Sequence, residues 1–209
     1  MMLLLFTVWV CHAAGTVLEN TCAQQDEIEM RKKISETVDG LKTMQCDFVQ
    51  TKHIKMLNDK LVSKGRMYYQ QGKRLRWDYV TPYSYTFVLN SDKVLLKNKH
   101  RHDVVDVGKK KVFNTIVRMM MNSVTGDCLS DGKSFKSSLC VVENEWVATL
   151  LPQLKELKQM FKKITLHFSE KEAMVTQVEL LEPNGDKTVI ELKNIKKNES
   201  IDPNMFSLN

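Results

Sequence analysis

The chain has 209 residues, 43% of them hydrophobic and 27% charged, with only eight Gly and four Pro; this excludes a disordered or collagen-like chain and predicts one globular domain. At this length a fold buries roughly 70% of the surface its unfolded chain exposes, so its core needs neither a metal nor a disulfide framework. The 31 Lys and Arg exceed the 25 Asp and Glu by six, but the excess is spread along the chain; it favours an anionic surface or partner, and no nucleic-acid partner is indicated.

Met1 to Ala14 (MMLLLFTVWVCHAA) has an apolar core followed by small residues, the pattern of a secretory signal cleaved near Ala13 or Ala14. The longest apolar run, Met1 to Val10, is about half the roughly 18 to 20 residues of a spanning helix, so a soluble, exported mature chain is expected. Cys11 does not read as a lipidated cysteine, because the bulky Val10 precedes it. Cys22, Cys46, Cys128 and Cys140 remain, and none of their spacings forms the close pairs of a zinc site. Cys128 and Cys140 flank a polar loop, and two readings stay open: a disulfide stapling that loop, or four free thiols.

Residues 22–209 read as a single domain with no repeat, linker or low-complexity segment. From Asp26 to Leu41, Ile28, Ile34, Val38 and Leu41 fall near helical spacing, and Gly40 ends the helix. The period then changes to two: Met44, Cys46 and Phe48 alternate with Gln45, Asp47 and Val49, which predicts a strand with one buried face. Short strands follow at 60–70, 73–79, 84–90, 93–98 and 102–107, separated by turn residues, as in an antiparallel meander. A second helix is predicted from Val112 to Asn122, too broadly apolar for a simple surface helix. Strands resume at 139–144 and 145–150; a helical turn at 152–161 precedes strands at 164–168, 175–181 and 187–195, with Pro183-Asn184-Gly185-Asp186 as a hairpin turn. The fold expected is mainly β, one sheet of about ten strands with two or three helices.

Leu75, Trp77 and Tyr79 share one face of their strand, while Arg74, Arg76 and Asp78 share the other. Met67, Tyr69 and Gln71 align with the first face from the preceding strand, and Tyr85, Phe87 and Leu89 continue it in the next. This aromatic and Met-rich composition suits either a tightly packed core or a cavity with adaptable walls.

Phe48 and Gln50, Gly65, the run Arg76-Trp77-Asp78-Tyr79, Pro82, Gly185 and the closing Ile201-Asp202-Pro203 with Phe206 together resemble the LolA family of periplasmic lipoprotein carriers. The resemblance runs from about residue 26 to the end. It implies an unclosed, curved antiparallel half-barrel whose hydrophobic cavity is covered by the two helices. It also implies a periplasmic protein that binds the acyl chains of lipoproteins. Such a carrier receives them from an inner-membrane ATP-driven releasing complex, and an outer-membrane acceptor takes them. The implied lipid-binding residues are Phe48, Met67, Tyr69, Leu75, Trp77, Tyr79, Tyr85, Phe87 and Leu89. Gln71, Phe113, Val117, Met120 and Met121 are the implied lid residues, with Met119 a further lid contact. Where the family often has Arg-Pro, this chain has Gln71-Gly72; Gln71 donates a hydrogen bond but carries no charge, so a lid latch there is differently made. Asp92-Lys93 stands where the family has Asp-Gly. The alternative is a lipid- or protein-binding periplasmic sensor or scaffold on the same half-barrel, or a carrier of another lipid.

Enzymatic parts are few: there is no GxSxG motif, no Gly-rich phosphate loop and no paired carboxylates, so no enzyme and no cofactor is expected. His100-Arg101-His102-Asp103 lacks the companion ligands of a zinc site and reads as a solvated hairpin tip, with no metal. Arg101 with Lys109, Lys110 and Lys111 is either a docking patch for an anionic membrane or acidic partner, or a solvated loop. A monomer is expected, because the apolar surface is committed to a cavity.

Overall fold

The computed structural model describes residues 24–108 and 111–209. The signal segment 1–14, Cys22, Lys109 and Lys110 lie outside the described residues, as do the side chains of Lys111 and Phe113. Helix α1 (Gln24–Asp39) leads into β1 (Thr43–Ile54), β2 (Asp59–Gln70), β3 (Arg74–Thr81), β4 (Tyr85–Asn90), β5 (Lys93–Asn98) and β6 (His102–Asp106). After α2 (Lys111–Thr125) come β7 (Phe135–Val142), β8 (Glu145–Pro152), the short α3 (Lys155–Met160), β9 (Lys163–Ser169), β10 (Met174–Leu181) and β11 (Lys187–Lys197). The eleven strands of the described residues form one antiparallel sheet in the order β6-β5-β4-β3-β2-β1-β11-β10-β9-β8-β7, so two meanders join where β1 pairs with β11, and among the described residues the edges β6 and β7 have no further partner strand. An open sheet this wide curls rather than lying flat. This is the expected mainly β, unclosed architecture, with three helices.

Curvature has a local cause at Gly65. The register between β2 and β3 shifts from Lys64↔Thr81 to Gly65↔Tyr79, leaving Val80 as the extra residue of a bulge. The Phe48 ring lies over Gly65, where a Cβ would stand 2.7 Å from it and 1.8 Å from the Asp78 carbonyl oxygen. Only glycine permits this approach, and the ring covers the gap it leaves.

Pairing carries the inward residues into rows across the sheet: Cys46, Met67, Trp77, Phe87 and Leu96 in one, Met44, Tyr69, Leu75, Leu89 and Val94 in the next. The convex side is mostly polar. Val88 and Leu95 are buried there beneath Phe206 of a 3₁₀ turn at Pro203–Phe206. Asp202 begins this turn, its side chain accepting from the Asn204 N–H. Arg76 pairs with Asp78 at 2.6 Å and donates to the Met205 carbonyl at 3.0 Å, while Asn90 donates to that of Phe206. The Arg-Trp-Asp-Tyr run thus serves both faces, its aromatics turned inward and its charges clamping the C-terminal segment.

Three expectations are corrected. The first helix ends at Asp39, and Leu41 is buried beyond it. The strand expected at 139–144 spans Phe135–Val142: Ser137 and Ser138 look like loop but pair with Leu150 and Thr149, and the turn falls on Glu143 and Asn144, both at positive φ. Pro152 closes β8 instead of opening a helix. Cys46, Cys128 and Cys140 are free thiols, so no bridge joins Cys128 to Cys140.

Candidate lipid-binding cavity

Helix α2 packs inside the curl. Its sequence has one charged side chain after Lys111, Arg118, which is exposed and stands 4.0 Å from Asp131. Val117, Met119, Ser123 and Val124 are buried, so the helix inserts an almost uncharged face toward the sheet. It ends at Gly126, whose φ of +91° supplies the left-handed cap and whose missing Cβ makes room for Phe168.

A cavity of about 260 Å³ remains between this helix and the concave sheet. Trp77 and Tyr79 of β3, Gln50 of β1, Val178 and Leu180 of β10 and Ile190 of β11 form its wall; Met119, Met120, Ser123 and Val124 of α2 roof it, with Met160 and Phe161 closing one side. Its polar groups are few. The Tyr79 hydroxyl donates to Gln50 Oε1 at 2.9 Å, and burial pushes that phenol up to about 12. Ser123 Oγ donates to Met119 Sδ at 3.5 Å. Trp77 Nε1 is buried with no hydrogen-bond partner among the described residues. Phe48 holds both aromatics in place, its centroid 5.0 Å from Trp77 and 5.0 Å from Tyr79, the latter edge to face. A second apolar depression, about 430 Å³, opens toward the sheet's end and is lined by Leu61, Val62, Ser63, Tyr79, Pro82, Tyr83 and Tyr85; Tyr79 is common to both spaces.

Of the implied lipid-binding residues, Trp77 and Tyr79 line the cavity and Tyr85 the outer depression. Phe48, Met67, Leu75 and Leu89 are wholly buried in the packed core, and Tyr69 and Phe87 are half-buried against it. Met119 and Met120 reach the cavity; Val117 and Met121 pack against the core. Gln71 is exposed in the turn after β2, where its backbone N–H donates to the Lys42 carbonyl at 2.8 Å. Arg101 is exposed in the β5–β6 turn, its N–H donating to Asn98 Oδ1. Helix α1 covers the β7 side of the same apolar interior, burying Met30 and Ile34, but supplies none of the cavity's lining residues; Arg31 donates to Ser137 Oγ and to the Leu129 carbonyl. Val178, Leu180 and Ile190, which line the cavity beyond the implied lipid-binding residues, carry a period-two signal in the sequence; Met160 and Phe161 carry none.

A family model described as outer membrane lipoprotein carrier protein LolA matches residues 39–209. The outer-membrane lipoprotein carrier protein of Methylococcus capsulatus is 24% identical over 185 residues, covering 88% of this chain and 85% of that protein. That of Nitrosospira multiformis is 23% identical over 175 residues, covering 81% and 79%. The crystal structure of the Mycobacterium tuberculosis lipoprotein LppX shares the fold, with a TM-score of 0.50 at 8% identity, covering 86% of this chain and 99% of that one. The chain therefore belongs to the LolA family of outer membrane lipoprotein carriers, which are transport proteins and not enzymes.

Proposed function

We propose that this chain carries lipoproteins through the periplasm by sheltering their acyl chains in the space beneath α2. It would take them from an inner-membrane ATP-driven releasing complex and yield them to an outer-membrane acceptor. The observation that carries this reading is the apolar cavity between Trp77, Tyr79 and the methionines of α2. Each buried methylene contributes about 0.8 kcal/mol, so an acylated protein needs such a shelter to cross water.

Size supports a moving lid. About 260 Å³ falls below the roughly 300 to 1,000 Å³ of sites that hold one drug-sized ligand. A multiply acylated group therefore enters only as α2 withdraws. Met119 and Met120 fill the space while it is empty, and their unbranched thioethers repack against many shapes, so loading exchanges one set of apolar contacts for another. That exchange keeps net affinity low enough for release.

The test is uptake of a tripalmitoylated peptide by the mature protein, followed by native mass spectrometry. Wild type is expected to form a complex, with Met120→Asp weakening it at least about tenfold, since an unpaired carboxylate would sit on the roof. No complex with wild type, or equal uptake by a folded Met120→Asp variant, would overturn the proposal.

A further inference from the structure

Six of the ten large apolar side chains exposed among the described residues lie together at one end of the sheet: Met56, Leu57, Leu61, Val62, Val80 and Tyr83. They occupy the β1–β2 hairpin and the β3–β4 turn, which the antiparallel meander puts side by side. Met56 is 90% exposed and Tyr83 82%, at loop tips rather than on a strand face awaiting a partner strand. Clustering of this kind marks an interaction surface, whereas scattered apolar residues do not.

Charge identifies the occupant. The stretch 52–64 carries four lysines against Asp59 alone. No ion pair among the described residues engages Lys55, Lys60 or Lys64, all of them exposed. The β5–β6 turn, at the same end by topology, adds exposed Lys99 and Arg101. Apolar tips flanked by free cations match the headgroup region of an anionic bilayer, where the apolar groups sink below the phosphates that the lysines engage. The tip is also held firmly: the Lys55 backbone N–H donates to Asp186 Oδ1 at 3.0 Å, tying the hairpin to the β10–β11 turn. The patch continues inward through Leu61, Tyr83 and Tyr85 to Tyr79, which borders the cavity itself.

We infer that this end of the sheet is a docking surface for an anionic phospholipid bilayer, with Met56, Leu57 and Tyr83 entering the headgroup layer and Lys55, Lys60 and Lys64 engaging phosphates. Docked so, the protein holds the outer apolar depression against the membrane. The inference goes beyond the carrier reading and is tested without cargo, so either can fail alone.

The experiment is flotation of the mature protein with phosphatidylcholine vesicles, with and without phosphatidylglycerol. Wild type is expected to float with the anionic vesicles in a salt-sensitive manner. Met56→Ser/Leu57→Ser should lower the partition at least about tenfold on both vesicles. Lys55→Glu/Lys60→Glu should lower it at least about tenfold on the anionic vesicles only, each lysine near such a surface being worth about fivefold. Val141→Ser, which removes an exposed apolar group at the opposite end of the sheet, should change nothing. Thermal unfolding confirms that each variant is folded. Absence of wild-type flotation, or unchanged flotation of Met56→Ser/Leu57→Ser, overturns the inference. So does a dimer in light scattering that Met56→Ser/Leu57→Ser abolishes while vesicles stay unbound, which would make a second copy the occupant.

Discussion

Gly65→Ala tests the physical origin of the curl. The new Cβ meets two obstacles, the Phe48 ring at 2.7 Å and the Asp78 carbonyl oxygen at 1.8 Å. The ring turns aside at modest cost, but the oxygen belongs to the paired strand and retreats only if the β2–β3 bulge opens. Overpacking against side chains costs about 1 to 3 kcal/mol, and a backbone obstacle puts this variant at about 3 kcal/mol or more. For a chain of this size that lowers the melting temperature by about 6 to 12 °C. Phe48→Leu alone removes the ring atoms that face Gly65 and costs about 1 to 2 kcal/mol. Because the oxygen is the harder obstacle, Phe48→Leu should not rescue Gly65→Ala. Urea unfolding of the two single variants and the double measures this directly. A loss under about 1 kcal/mol for Gly65→Ala, or a double variant more stable than Gly65→Ala, would refute the reasoning.

Other expectations follow from the same contacts. Cys46 and Cys128 are buried and their thiols pushed up to about 12 by burial, whereas Cys140 is half-buried; alkylation of the native protein at pH 8, mapped by mass spectrometry, should modify Cys140 and spare the other two until unfolding. Burial raises the Tyr79 phenol from 10 to about 12, so the folded protein keeps a proton there that the unfolded chain has lost. The stability from this group is complete below pH 10 and disappears as pH rises to 12; Tyr79→Phe should flatten that decline in urea midpoints. Arg76→Ala removes both the Asp78 pair and the bond to the Met205 carbonyl, and should release the C-terminal turn with a loss of about 1 to 3 kcal/mol and faster hydrogen exchange in residues 203–206. Trp77→Phe deletes the unpartnered indole N–H along with some packing, and these offset to leave stability within about 1 kcal/mol of wild type.

The alternation of apolar residues from Met44 through Leu89 specified the strands and their inward face, because side-chain direction in a strand is a local property. The helix of Val117, Met119 and Met120 was legible for the same reason. Two things depended on the tertiary structure. Phe48, Met67, Leu75 and Leu89 read the same as Trp77 and Tyr79, yet the first four pack into solid core and the last two face a cavity. Val88 and Leu95 point outward by period and are nevertheless buried, because Phe206 arrives from the far end of the chain. Periodicity shows which way a side chain points. What stands opposite it depends on the bulge at Gly65, on the union of β1 with β11 and on where α2 and the last turn come to rest, and these are contacts between residues distant in sequence.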